Sequence, residues 1–168
     1  MYLSMELAQR LSAEPEVLGC SPDHIFGCWE SVFMIVWRHE TTAEAVEQLI
    51  ALMPRFAARV SQFTLVVVVE DGASVPTAAL RERIAFGLQA AAPYIDISAV
   101  VHEGRGFRAA AVRSVLAGLT LVVRPPYGHK VFARVDEASR WIGRERRRFD
   151  SHGLCDALAT LRSYIPSR

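Results

Sequence analysis

Residues 63–71 read FTLVVVVED, and the four consecutive valines constrain this chain more than any other stretch. A β-branched side chain has few χ1 choices, and a run this short and stiff favours a strand over a helix. Being apolar on both faces, it predicts a central strand covered on two sides, as the strands of parallel sheets are. SVFMIVWRH (31–39) and IDISAVVHE (95–103) read the same way. HIFGCWE (24–30) is expected to pair with the first of these as a hairpin.

Between these strands the hydrophobic period changes. In TTAEAVEQLIALMPRFAARV, Val46, Leu49, Ile50, Met53, Phe56, Ala57 and Val60 fall on one helical stripe. Thr41 and Glu44 fit an S/T-x-x-E capping box, and Pro54 should kink or divide the helix. A second helix is expected from about Thr77, with Leu80, Ile84, Leu88 and Ala91 inward and Pro93 closing it. Phe107, Ala111, Val115, Leu119 and Val122 are spaced for a helix over 107–124, against the strand that LTLVV suggests, with an end at Pro125-Pro126. HKVFARV is then a short last strand and DEASRWIGRERRR a final helix.

The resulting order, β-β-α-β-α-β-α-β-α, predicts an α/β fold with a mostly parallel central sheet, right-handed crossovers and helices packed on it. That domain spans 24–148. Residues 1–23 are expected to be an N-terminal extension with a short helix, and 149–168 a C-terminal helical extension. Both extensions carry leucines at helical spacing, Leu7 and Leu11, then Leu154, Leu158, Leu161 and Ile165. Such helices most often pad their own sheet and less often dock on a partner or a second copy.

Composition narrows the class. With 168 residues, 51% hydrophobic and 22% charged, the chain can bury one sizeable core and is not a disordered sequence. A net charge of +1 gives no field that favours nucleic acid or an anionic membrane. Lys130 is the only lysine, a bias towards arginine that reads as codon usage in a G+C-rich genome. The start MYLSMELAQRLSAE has neither a basic head nor an apolar core, so no signal peptide is expected. No run reaches the roughly 18 apolar residues of a membrane span. Cys20, Cys28 and Cys155 are odd in number and lack CxxC spacing, which argues against a disulfide framework or a zinc site. These features together predict a cytoplasmic protein without a cofactor.

The closing stretch KVFARVDEASRWI, with Phe132 before the Glu137-Ala138 pair and Trp141-Ile142 at its end, resembles the SpoIIAA-like branch of STAS domains (STAS/SEC14-like, anti-sigma-factor-antagonist-like). The strand followed by TTAE is similar too, and the resemblance covers roughly residues 24–145. It implies a bacterial regulatory or protein-interaction domain rather than an enzyme. In phosphoswitch members a serine sits where the third strand meets its helix. The corresponding stretch here is VEDGASVPTAAL, in which Ser74 is the only serine and the usual Asp-Ser-Gly order is absent. Ser74 is therefore either a phosphosite or a turn residue.

Three strands end in polar pairs, His39-Glu40, Glu70-Asp71 and His102-Glu103. A parallel sheet gathers such pairs at its carboxyl edge, where open α/β sheets bind ligands. Two histidines and several carboxylates are compatible with a divalent metal, but no H-x-H or H-E-x-x-H spacing supports one. EGRGFR, between strand and helix, departs from G-x-G-x-x-G because Ala109 holds the third position, and no acidic ribose partner follows. It reads as a turn, with an anion site as the alternative because Arg105 and Arg108 stand beside it. RERRR (144–148) reads as a solvated helix end. No nucleophile elbow or Cys–His motif is present.

The expected function is a non-enzymatic STAS-like module that binds a protein partner or a second copy through His39, Glu40, Asp71, His102, Glu103, Arg105 and Arg108. The alternative is a small-ligand domain that takes a lipid or anionic metabolite in the carboxyl-edge crevice.

Overall fold

The computed structural model describes residues 14–106, 109, 110, 112, 113 and 125–167. Six strands form one sheet in simple sequence order, β1 (Glu16–Cys20), β2 (His24–Trp29), β3 (Val32–Trp37), β4 (Phe63–Val69), β5 (Ile95–His102) and β6 (Gly128–Phe132). β1, β2 and β3 are joined as antiparallel neighbours, whereas β3, β4, β5 and β6 pair parallel. The valine run is the centre of this ladder. Val66, Val67 and Val68 of β4 face Met34, Ile35 and Val36 on one side and Ala99, Val100 and Val101 on the other.

Strand alternation divides the core into two layers. Phe26, Phe33, Ile35, Trp37, Phe63 and Leu65 point to the face covered by α1 (Ala43–Val60) and the inner edge of α2 (Ala78–Ala91). Phe33, Phe56 and Phe63 meet there with ring centroids 5.5 to 5.9 Å apart. Ile25, Met34, Val36, Val66, Val68, Ala99 and Val101 point the other way, onto α3 (Val135–Glu145) and α4 (Ser151–Ser163). Crossovers of one hand between successive neighbouring strands put their helices on one face. The opposite face is therefore left to the helices that follow the last strand.

Several local readings shift by small, explicable amounts. The N-cap of α1 is Thr42, not Thr41, its hydroxyl accepting from the Ala45 N–H at 3.2 Å. Pro54 lies inside this helix without dividing it. α2 has the expected cap, with Thr77 accepting from Leu80. Only Gly87 and Ala91 of α2 are fully buried, because AALRERIAFGLQAA lacks a strong apolar stripe. Of the helix expected over 107–124, Gly106, Ala109, Ala110, Val112 and Arg113 are helical, while 107, 108, 111 and 114–124 lie outside the described residues.

The larger corrections concern the flanks. Residues 16–20, assigned above to an N-terminal extension, are a sixth strand that pairs with β2. Short alternation and a glycine hid it from the sequence pattern. Arg59 of α1 anchors it through Glu16 at 2.7 Å. Leu7 and Leu11 lie outside the described residues. The C-terminal residues are helical as expected, and Leu154, Leu158, Leu161 and Ile165 pad the sheet in the same layer as β2–β5.

Gly27 lets α4 pack tightly on the sheet, since a Cβ there would stand 2.6 Å from Leu161 Cδ1. Leu161→Ala removes a fully buried side chain from this contact and should cost about 2–5 kcal/mol. Urea unfolding measures this, and an unchanged midpoint would contradict the docking of α4.

Candidate functional site

The residues that follow β3, β4 and β5 are Arg38, Glu70 and Glu103, brought side by side by the parallel register. Arg162, near the end of α4, reaches back over them. Its Nε donates to Glu70 Oε1 at 2.8 Å, and its Nη1 and Nη2 donate to the two oxygens of Glu103 at 2.8 and 2.7 Å. Arg38 donates from Nε and Nη2 to both oxygens of Glu70, at 2.7 and 3.1 Å. The Glu70 side chain is 12% exposed, the most enclosed of the four. Burial alone would raise its carboxyl, but the hydrogen bonds and charges of Arg38 and Arg162 outweigh that and hold it below the usual range.

Beside this cluster lies an open crevice of about 1080 Å³, walled by Asp71, the loop Glu103–Gly106, Arg113, and the turn Ala133–Asp136 that leads into α3. The loop is built by four devices. The Glu103 N–H donates to Val69 O at 3.0 Å and so continues the ladder one residue beyond β5. Arg113 Nη1 donates to the carbonyls of His102 and Gly104, at 3.0 and 2.9 Å. Gly104 must lack a side chain, because a Cβ there would stand 2.8 Å from His102 Cε1 and 3.1 Å from Asp71 Oδ1. Gly106 has φ +77°, the left-handed region that favours glycine. The two glycines of EGRGFR thus serve separate geometric needs and leave Arg105 exposed on the rim between them.

The expected site residues fall into distinct groups. Asp71, Glu103 and Arg105 line the crevice. His102 lies at the end of β5 rather than in a loop, and its buried Nδ1 has no hydrogen-bond partner among the described residues. His39 and Glu40 lie in the β3–α1 connection and do not line the crevice. His39 contributes its carbonyl, which accepts from the Ser74 N–H at 2.8 Å and from the Ser74 hydroxyl at 3.3 Å. Those bonds give Ser74 turn chemistry. Arg108 lies outside the described residues. Among the described residues no three His, Cys, Asp or Glu side chains form a group able to hold a metal ion.

Sequence reasoning missed Arg113, Arg134 and Arg162, since nothing in a linear pattern says which helix end returns to which strand end. It also missed a Ser–His pair. Ser21 Oγ and His24 Nδ1 lie 2.9 Å apart in the β1–β2 turn, and Ser21 Oγ also accepts from the Asp23 N–H at 3.1 Å. The imidazole is stacked on Phe26 at 4.4 Å and tilted against Trp37 at 5.5 Å, and burial pushes its pKa down. The pair lies away from the crevice, packed among rings in the β1–β2 hairpin. Burial pushes the Cys28 thiol up to about 11 and also raises Cys20, which works against the thiolate at both positions.

RERRR also proves only partly solvated. Arg146 donates to Thr64 Oγ1 at 2.8 Å and Ser31 Oγ at 3.0 Å, with Asp96 at 3.4 Å. It fastens the amino edge of β3–β5 as Arg162 fastens the carboxyl edge.

The Glu70 carboxyl sits lower in the folded chain than its ordinary 4.5, so its contribution to stability is present above that value. The contribution is lost as pH falls through the lower folded value. Glu70→Gln should therefore cost about 1–3 kcal/mol at pH 7 and flatten the loss of stability below pH 4.5. Chemical denaturation across pH 3–7 checks both, and parallel wild-type and variant curves would refute the latch.

No family model matches the chain, and neither the curated proteins nor the solved structures give a match.

Proposed function

We propose that this chain is a non-enzymatic regulatory or protein-interaction domain of the STAS-like kind, working in a bacterial cytosol through the carboxyl edge of its sheet. The observation that carries the reading is the state of the polar groups at that edge. Glu70 and Glu103 are committed to Arg38 and Arg162, and Ser74 is committed to the His39 carbonyl. These groups hold a shape, and what they frame is a recognition surface, not an assembled nucleophile and base.

The STAS resemblance gains support from the element order. From β2 to α3 the described elements run strand, strand, helix, strand, helix, strand, then helical residues, strand and helix. Phe132 and Trp141, which carried the resemblance, touch with ring centroids 5.5 Å apart and close β6 onto α3. They support a fold and leave function to the edge. A protein partner or a second copy fits this edge. No described helix is long and apolar enough to cross a membrane. The crevice leaves room for a second reading, a small-ligand domain.

Native mass spectrometry of the full chain, purified under non-denaturing conditions, tests the leading reading. The expected masses are those of the bare chain or its homodimer. A stoichiometric metal, nucleotide or lipid retained through purification would sink it.

A further inference from the structure

The charges around the crevice are unequally matched. Of its three carboxylates, Glu103 is held by Arg162, and Asp136 is held by Arg134 at 2.8 Å and Arg140 at 2.8 Å. Asp71 has no ion pair among the described residues. Of its three arginines, only Arg134 faces a carboxylate. Arg113 gives one nitrogen to two carbonyls, which hold it in place without neutralising its charge. Arg105 is exposed, with no hydrogen bond or ion pair among the described residues. Among the described residues, two guanidinium groups and one carboxylate without an ion pair therefore share the hollow. The first turn of α3 adds no anion demand, because Asp136 and Glu137 already occupy it.

We infer that the crevice between the Glu103–Gly106 loop and the Ala133–Asp136 turn binds the anionic end of a small organic molecule, a phosphate monoester or a carboxylate, between Arg105 and Arg113. The inference rests on the carboxyl edge being the working face. A guanidinium fork matches either anion with two parallel N–H donors. Arg113 is pre-positioned by the backbone it braces, so little ordering remains when an anion arrives. Arg105 supplies the adaptable contact from the rim, and Gly104 keeps the floor open. The space is far larger than an inorganic anion needs, which leaves room for the rest of a larger ligand. Asp71 faces the same hollow and suits a donor on the remainder, a hydroxyl or an ammonium.

The test is a titration of isotope-labelled full-length protein with inorganic phosphate and, separately, with acetate, at ionic strength held constant with sodium chloride. Saturable shifts of the Gly104, Arg105 and Gly106 amides are expected. Arg105→Gln should weaken the preferred anion about tenfold or more, since a hydrogen bond to a charged group is lost. Arg147→Gln, an exposed arginine at the far end of α3, should leave it unchanged. Tighter phosphate than acetate identifies a phosphate monoester, and the reverse a carboxylate. Loop amides that fail to saturate with either anion overturn the inference, as does equal weakening by the two variants. That failure would leave the edge available as a protein-interaction surface. A retained metal or lipid in the mass spectrum would count against the proposed function alone.

Discussion

Arg162 is the side chain on which the arrangement of this molecule's carboxyl edge depends. The parallel register of β3, β4 and β5 delivers Arg38, Glu70 and Glu103 to one edge, and two adjacent carboxylates there repel each other. A guanidinium with three nitrogens in one plane satisfies both at once, with contacts of 2.7 to 2.8 Å. A lysine would offer a point charge in its place. Because Arg162 also belongs to α4, the same bonds pin the last helix across the sheet, end on end with the leucines packed beneath it. Stability and surface shape are thereby coupled through one residue. Its partners are half-buried, so the ion pairs are screened less than exposed ones.

Arg146 performs the corresponding task at the opposite edge. It sits just past α3, stacks over Phe149 at 5.3 Å, and reaches the fully buried Thr64 and its neighbours Ser31 and Asp96. One face of the sheet is thus held by apolar packing in its middle and by an arginine at each end. The other face relies on aromatic packing under α1. This division explains why the crevice opens beside β5 and β6, where α3 begins and the cover of α4 stops.

The sheet itself was legible because valine runs and helical stripes are local signals. FTLVVVV, VFMIVW and IDISAVVH carry their own burial pattern, and the Thr77 cap is visible in six residues. β1 was illegible because EVLGC is short, half-exposed and anchored by Arg59, which is far away in sequence. The site was legible only as a region. Strand-end pairs pointed to the edge where the Arg162 cluster and the crevice lie, and the two glycines pointed to the loop. Which of those charges are neutralised was not readable, since Arg162 lies 59 residues beyond Glu103. Glu103 read as a binding carboxylate and is paired with Arg162, whereas Arg113, which no strand-end pattern singles out, braces the crevice.

Arg162 holds the loop that forms the crevice wall. Native-state hydrogen exchange of Arg162→Met reports on this through the Glu103 amide that donates to Val69 O. Methionine keeps the apolar stem of the side chain and removes the fork. Loss of the latch predicts selectively faster exchange at Glu103 and the following loop amides, with the amides of β3 and β4 still protected. Unchanged exchange at Glu103, or a uniform loss across the whole sheet, would contradict the account.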